Sequence, residues 1–151
     1  MECRELNKEA KELADITLNL IVNCQEKEIK IARIYGLAQA EFRCLRYFNA
    51  DEEINNKDIA GRMELSPGRL TRIIDGLVKK GLVKRELILN DRRNMKVSLS
   101  SSGVLLLDQI NELYLNIHKE ILNEINEVEY KQIIKALKVL VGSLDKWISR
   151  S

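Results

Sequence analysis

Apolar side chains recur at spacings of three, four or seven through the first part of the chain. Leu6, Ala10, Leu13, Thr17, Leu20, Cys24, Ile31 and Ile34 lie on one such stripe, with Lys27 interrupting it. The pattern predicts one long helix over roughly residues 5–34. It returns after Gly103, where Val104, Leu107, Ile110, Tyr114, Ile117, Ile121 and Ile125 mark a second long helix. Ile133, Leu137, Leu140, Leu144 and Trp147 mark a third. Long stripes at both ends cannot be covered by the small middle of the chain, so they are expected to pack on each other and on a second copy.

The middle has a different grammar. Leu37 to Phe48 suits a helix, and Asn49 to Ile54 reads as a polar loop. Asn55-Asn56-Lys57-Asp58 has the form of a helix start, with an Asn cap and an acid three residues on. The helix it opens is short. Leu65-Ser66-Pro67-Gly68 opens the next, with Ser66 at the N-cap, Pro67 at the first helical position and Leu65 placed to close a hydrophobic staple with Leu70. Leu70, Ile73, Ile74 and Leu77 form its buried stripe. Gly81 suits the left-handed residue that ends a helix. Strands are expected at Leu82 to Leu89 and Met95 to Leu99, around a polar tip at Asn90 to Asn94. Short helix, turn, longer helix and hairpin make a winged helix-turn-helix.

Composition narrows the classes. With 151 residues, 45% hydrophobic and 32% charged, the chain can fill about one domain and is not disordered. One Pro and 7 Gly favour long helices over many turns. No apolar run reaches the roughly 18 residues of a membrane span, and the charged start, MECRELNKEAKEL, is unlike a signal peptide. The odd count of 3 Cys gives no disulfide framework. A soluble, cytoplasmic, mainly α protein with no membrane partner is expected.

The net charge of +2 conceals a segregation. Residues 62–96 hold ten basic and four acidic side chains, an excess of six, so the remainder is acidic. A basic middle between acidic ends predicts an anionic partner for the middle alone.

If Leu70, Ile73 and Leu77 face inward, Gly68, Arg72, Asp75 and Lys79 face outward, with Arg69 and Thr71 on the flanks. A recognition helix reads major-groove bases through its first turns, and Arg can hold guanine by two hydrogen bonds. Gly68 would let the backbone approach closely. The hairpin carries Asp91-Arg92-Arg93. An Arg there can enter a narrow minor groove, and Asp91 is placed to orient Arg93. Lys84, Arg85 and Arg92 complete the candidate DNA contacts, Lys84 as a phosphate contact blind to sequence.

Residues Ile59 to Gly103 resemble the MarR-type winged-helix transcriptional regulators. The resemblance is carried by SPGRLTRIIDGLVKKGLVKR, then DRR, then LSSSG. The family's wing pattern of Asp-x-Arg and Leu-Thr-x-x-Gly reads here as Asp91, Arg93, Leu99, Ser100 and Gly103, with Ser100 as cap of the following helix. The resemblance implies a mainly α (α+β) fold: a winged helix-turn-helix with long terminal helices forming a dimerisation region. Residues 1–151 would then be a single MarR-type domain, with 35–100 the DNA-binding lobe and 1–34 and 101–151 the dimerising helices. It further implies a homodimer on double-stranded DNA with a pseudo-palindromic operator, usually repressing. Arg93 matches the minor-groove arginine, Asp91 its orienting partner, and Ser66, Pro67, Gly68, Arg69, Thr71 and Arg72 fall in the major-groove turns.

Many members release DNA when a small anionic aromatic effector binds. Arg43, Arg46 and Arg62 are the candidates for attracting its carboxylate. Other members sense oxidants through a cysteine. Here Cys3 lies at the very start, Cys24 on the apolar stripe and Cys44 beside Phe42 and Leu45, where a core role is expected. His118 is the only histidine, so no metal site and no cofactor are expected. No motif places a nucleophile with a base or a phosphate loop, and the acidic pair Glu52-Glu53 reads as solvent-facing, so an enzyme is not expected. The alternatives are a redox-responsive regulator acting through a cysteine, a winged helix used for protein contact, and a DNA-architectural protein without sequence preference.

Overall fold

The computed structural model describes the backbone of residues 2–49, 52–88 and 91–150, and their side chains except those of residues 2, 3, 88 and 91–94. The elements run α1 (Glu2–Ile34), α2 (Gln39–Leu45), β1 (Ile54–Asn55), α3 (Asn56–Met63), α4 (Pro67–Lys79), β2 (Val83–Ile88), β3 (Asp91–Leu99), α5 (Ser101–Asn123) and α6 (Glu127–Ile148). They fall into two compact units, Met1–Asp108 and Gln109–Ser151.

In the first unit, one device ends three helices. The N–H groups of Leu37, Leu65 and Leu82 donate back to Ala32 O, Ala60 O and Leu77 O at 2.9, 3.0 and 3.0 Å. Before each leucine stands a left-handed residue, Gly36 (φ 64°), Glu64 (φ 54°) and Gly81 (φ 72°). This is the Schellman ending, in which the leucine after the turn folds back on its helix. Glu64 adopts that conformation with a Cβ, at a cost of about 1–2 kcal/mol.

The starts match the sequence signals. Asn55 Oδ1 accepts from Asp58 N–H at 2.7 Å, and Ser66 Oγ from Arg69 N–H at 3.4 Å. The helix expected over Leu37 to Phe48 is shorter, because at α2's end the N–H groups of Tyr47 and Phe48 tighten onto Cys44 O and Leu45 O. Phe48 is nevertheless buried.

The sheet order is β1-β3-β2, antiparallel throughout. The loop reading of Asn49 to Ile54 therefore needs correcting: Ile54 pairs with Val97 and Asn55 with Lys96. Two residues carry no periodicity of their own, and only the partner strand reveals them. The wing also differs from the sequence pattern. The tip was expected over Asn90 to Asn94, but β3 begins at Asp91, and residues 89 and 90 lie outside the described residues. The register runs evenly from Val83↔Leu99 to Leu87↔Met95, then jumps to Ile88↔Asp91. The irregularity takes up Arg92, Arg93 and Asn94 within β3.

The core is built from Phe42, Leu45, Ile59, Leu70, Ile74, Leu77 and Val97, all within 1% of full burial. Ile73, expected in the buried stripe, is only half-buried because its side of α4 lines a cavity. Along α1, Leu6, Leu13 and Leu20 are exposed, and burial begins at Ile31.

In the second unit, Asn126 caps α6, its Oδ1 accepting from Glu129 N–H at 2.9 Å while its Nδ2 donates to Glu129 Oε2. No residue of α6 is buried, and Ile133, Leu137, Leu144, Trp147 and Ile148 are exposed on one face. No helix among the described residues is long and apolar enough to cross a membrane.

Candidate nucleic-acid interface

The outward side of α4 follows from its inward one. With Leu70, Ile74 and Leu77 in the core, Gly68, Arg69, Arg72 and Lys79 are exposed. Pro67 holds the first helical position, and Ser66 is engaged as the cap. Thr71 lies on the flank, but its hydroxyl donates to Pro67 O at 2.9 Å and so closes on its own helix. A Cβ on Gly68 would meet nothing within 4 Å, so nothing in the chain's own packing requires glycine there.

The basic segment sorts itself by carboxylate partners. Arg85 donates to Asp75 at 2.5 Å, Lys80 to Glu41 at 2.5 Å, Arg62 to Glu52 at 3.1 Å, and Lys96 approaches Glu53 at 3.4 Å. Among the described residues, Arg69, Arg72, Lys79 and Lys84 pair with no carboxylate. Among the described side chains of this segment, cationic charge without a carboxylate partner therefore lies on the outward face of α4 and at Lys84 on β2. Arg85, grouped with Lys84 by sequence, is instead tied to α4. The side chains of Asp91, Arg92 and Arg93 lie outside the described ones.

The hairpin is anchored at its base. Ser100 Oγ donates to Gly81 O at 2.6 Å and accepts from Gly103 N–H at 3.0 Å, capping α5. A Cβ on Gly103 would overlap Leu82 O, so the start of α5 approaches the start of β2 only with glycine there. The Leu99-Ser100-x-x-Gly103 run is thus the joint between wing and helix.

Beside α4 opens a cavity of about 850 Å³. Arg43, Arg46, Arg69 and Arg72 line it with Glu28, Gln39, Tyr47, Met63, Leu65 and Ile73. Arg43 Nε donates to Glu28 at 2.7 Å, and Arg46 lies 5.9 Å from the centre of the Phe42 ring. Two of the three arginines proposed from sequence for an anion are therefore brought together. Arg62 is not among them: its guanidinium bonds Glu52 and Tyr47 O (3.2 Å), and it does not line the cavity. Arg69 and Arg72 were missed as cavity residues, since the spacing that puts Arg72 outward and Arg69 on the flank does not say what lies beside them.

The cysteines separate as well. Cys44 is buried, and desolvation, helped by the Glu41 carboxylate, pushes its thiol up to about 12. It is a core residue rather than a reactive one. Cys24 is exposed on α1, and the side chain of Cys3 lies outside the described ones.

The MarR family model matches residues 37–95. The transcriptional regulator SarZ of Staphylococcus aureus (strain USA300) is 30% identical over 108 residues, 72% of this chain and 72% of SarZ. Among solved structures, MepR, described as a transcription regulator of the Staphylococcus aureus multidrug efflux pump MepA, superposes with a TM-score of 0.75. It covers 87% of this chain and 97% of its own at 16% identity. A MepR–DNA complex gives 0.67 with the same coverage at 17% identity. At such identities the structures establish the fold, a winged helix with long flanking helices. The relative and the family model carry the rest, and the chain belongs to the MarR family of winged-helix transcriptional regulators.

Proposed function

We propose that the chain binds double-stranded DNA sequence-specifically as a homodimer, with α4 in the major groove and the β2–β3 hairpin at the adjacent minor groove. The observation that carries this reading is the unpaired cationic face of α4, Arg69, Arg72 and Lys79, opposite a side fixed in the core. Gly68 adds a place where the backbone itself can meet DNA. Lys84 supplies a phosphate contact, and Arg93, with Asp91 orienting it, the minor-groove contact. That a structure of the same fold is a complex with DNA supports the docking.

The dimer is supported by the exposed apolar faces of α1 and α6, which in water would be large apolar patches. A second copy covers them by symmetry. Two α4 helices on a two-fold frame then meet half-sites about 10 base pairs apart.

The cavity supplies the response. Its volume is that of a small-molecule site, and its arginines select an anion with an apolar body against Tyr47, Met63, Leu65 and Ile73. Arg69 and Arg72 belong both to the cavity wall and to the face offered to DNA, so a bound anion withdraws charge from DNA and releases the operator. This is the behaviour of a ligand-responsive repressor.

The test is selection of a duplex from a random pool by the purified chain, followed by competition with random duplex. A selected sequence that resists competition supports the reading. Equal competition by random DNA makes the protein architectural instead.

A further inference from the structure

Glu41 is the buried charged side chain among the described residues, and DNA contact gives it no role. It lies on the face of α2 that carries Leu45, four residues on, and this turns it inward. Its Oε2 accepts from Ala38 N–H at 2.9 Å, closing the first turn of α2, and from Lys80 Nζ at 2.5 Å. Lys80 is the C-terminal cap of α4 and also donates to Gly36 O at 2.9 Å. On the far side of the carboxylate, a Cβ on Gly76 would overlap Glu41 Oε1. One carboxylate thus joins the turn after α1, the first turn of α2 and the last turn of α4.

Apolar contacts at Leu70, Ile74 and Leu77 decide which face of α4 turns inward, but because they are non-directional they leave its fine rotation loosely set. A charge-assisted hydrogen bond is directional, and a cation at a helix C-terminus also suits the helix dipole. The seat at Gly76 completes the constraint.

We propose that Glu41 is a positioning residue for DNA reading: held by Lys80 and seated against Gly76, it sets the fine rotation of α4 within the face chosen by the core, so Lys80 serves inside the protein and not on phosphate. The inference rests on the DNA-binding reading above.

The test uses the full chain and a duplex that the unmodified protein selects from a random pool. Glu41→Gln and Lys80→Met are each expected to weaken binding to that duplex about tenfold, with little change on random duplex. The slope of log affinity against log salt stays that of the unmodified chain. Because both act through one contact, the double variant binds no worse than Lys80→Met alone. A salt slope reduced by about one in Lys80→Met would make it a phosphate contact and overturn the proposal. So would an unchanged affinity of folded Glu41→Gln, or equal losses on selected and random duplex. Should Lys80→Met fail to fold, Glu41→Gln decides alone, since its amide oxygen still accepts from Ala38 N–H. A chain that selects no duplex defeats the DNA reading and this proposal with it.

Discussion

Arg85 donates to Asp75 across 2.5 Å, from β2, the first strand of the hairpin, to the middle of α4. The pair couples wing and helix and leaves Arg85 already neutralised, while its neighbour Lys84 carries its charge into solvent. Both partners are partly exposed, so the pair adds little to stability. What it decides is which of the two basic neighbours offers a charge without a carboxylate partner.

The two basic neighbours should therefore differ. Lys84→Ala is expected to lower the salt slope of binding to random duplex by about one. Arg85→Ala should leave that slope nearly unchanged. Equal slope changes for the two variants would refute the division of roles.

Gly103→Ala should destabilise the fold by about 1–3 kcal/mol, because its Cβ overlaps a backbone oxygen, Leu82 O, that cannot swing aside. Ser100→Ala, which loses the cap of α5, should cost about 1 kcal/mol. Urea unfolding measures both, and a Gly103→Ala protein as stable as the parent would contradict the close approach.

Acid should weaken the segment before β1. The hydrogen bond from Arg62 holds the Glu52 carboxyl below its ordinary value of 4.5, with Asn49 assisting. Folding thus favours the charged form, so the contribution is present above 4.5 and fades as pH falls through the lower folded value. Melting temperature followed from pH 7 to about pH 3 should fall less steeply in Glu52→Gln. Parallel curves would mean that Arg62 does not stabilise the carboxylate.

How much of this was legible in the chain differs by element. The caps Asn55 and Ser66, the stop at Gly81 and the outward Gly68, Arg72 and Lys79 follow from local spacing, because capping and helical period are local physics, whereas the cap Ser100 came from the family's wing pattern. β1 was not legible, since Ile54 and Asn55 become a strand only through Val97 and Lys96. Nor was the cavity, assembled from residues as distant as Glu28 and Ile73. Glu41 did leave a signal: Leu37, Glu41 and Leu45 stand at i, i+4, i+8, which places a carboxylate on an apolar face. Its partner Lys80, 39 residues on, did not.

The cysteines report on assembly. In a Cys3→Ser background, iodoacetamide should leave Cys44 unmodified until unfolding, as its buried thiol is held near 12. Cys24 lies on the α1 stripe with Leu13 and Leu20, so a dimer that covers this face should protect it at micromolar concentration and release it on dilution. Rapid labelling of Cys24 at high concentration would place the partner's surface elsewhere.

Arg72→Ala decides whether α4 reads sequence. Binding to the selected duplex and to a random duplex is measured at one ionic strength, with melting temperature as a control. A reading α4 gives a loss of about 1–3 kcal/mol on the selected duplex, a clearly smaller loss on the random one, and an unchanged melting temperature. Equal losses on both duplexes would show that Arg72 meets only phosphate, and that α4 is not the reading element.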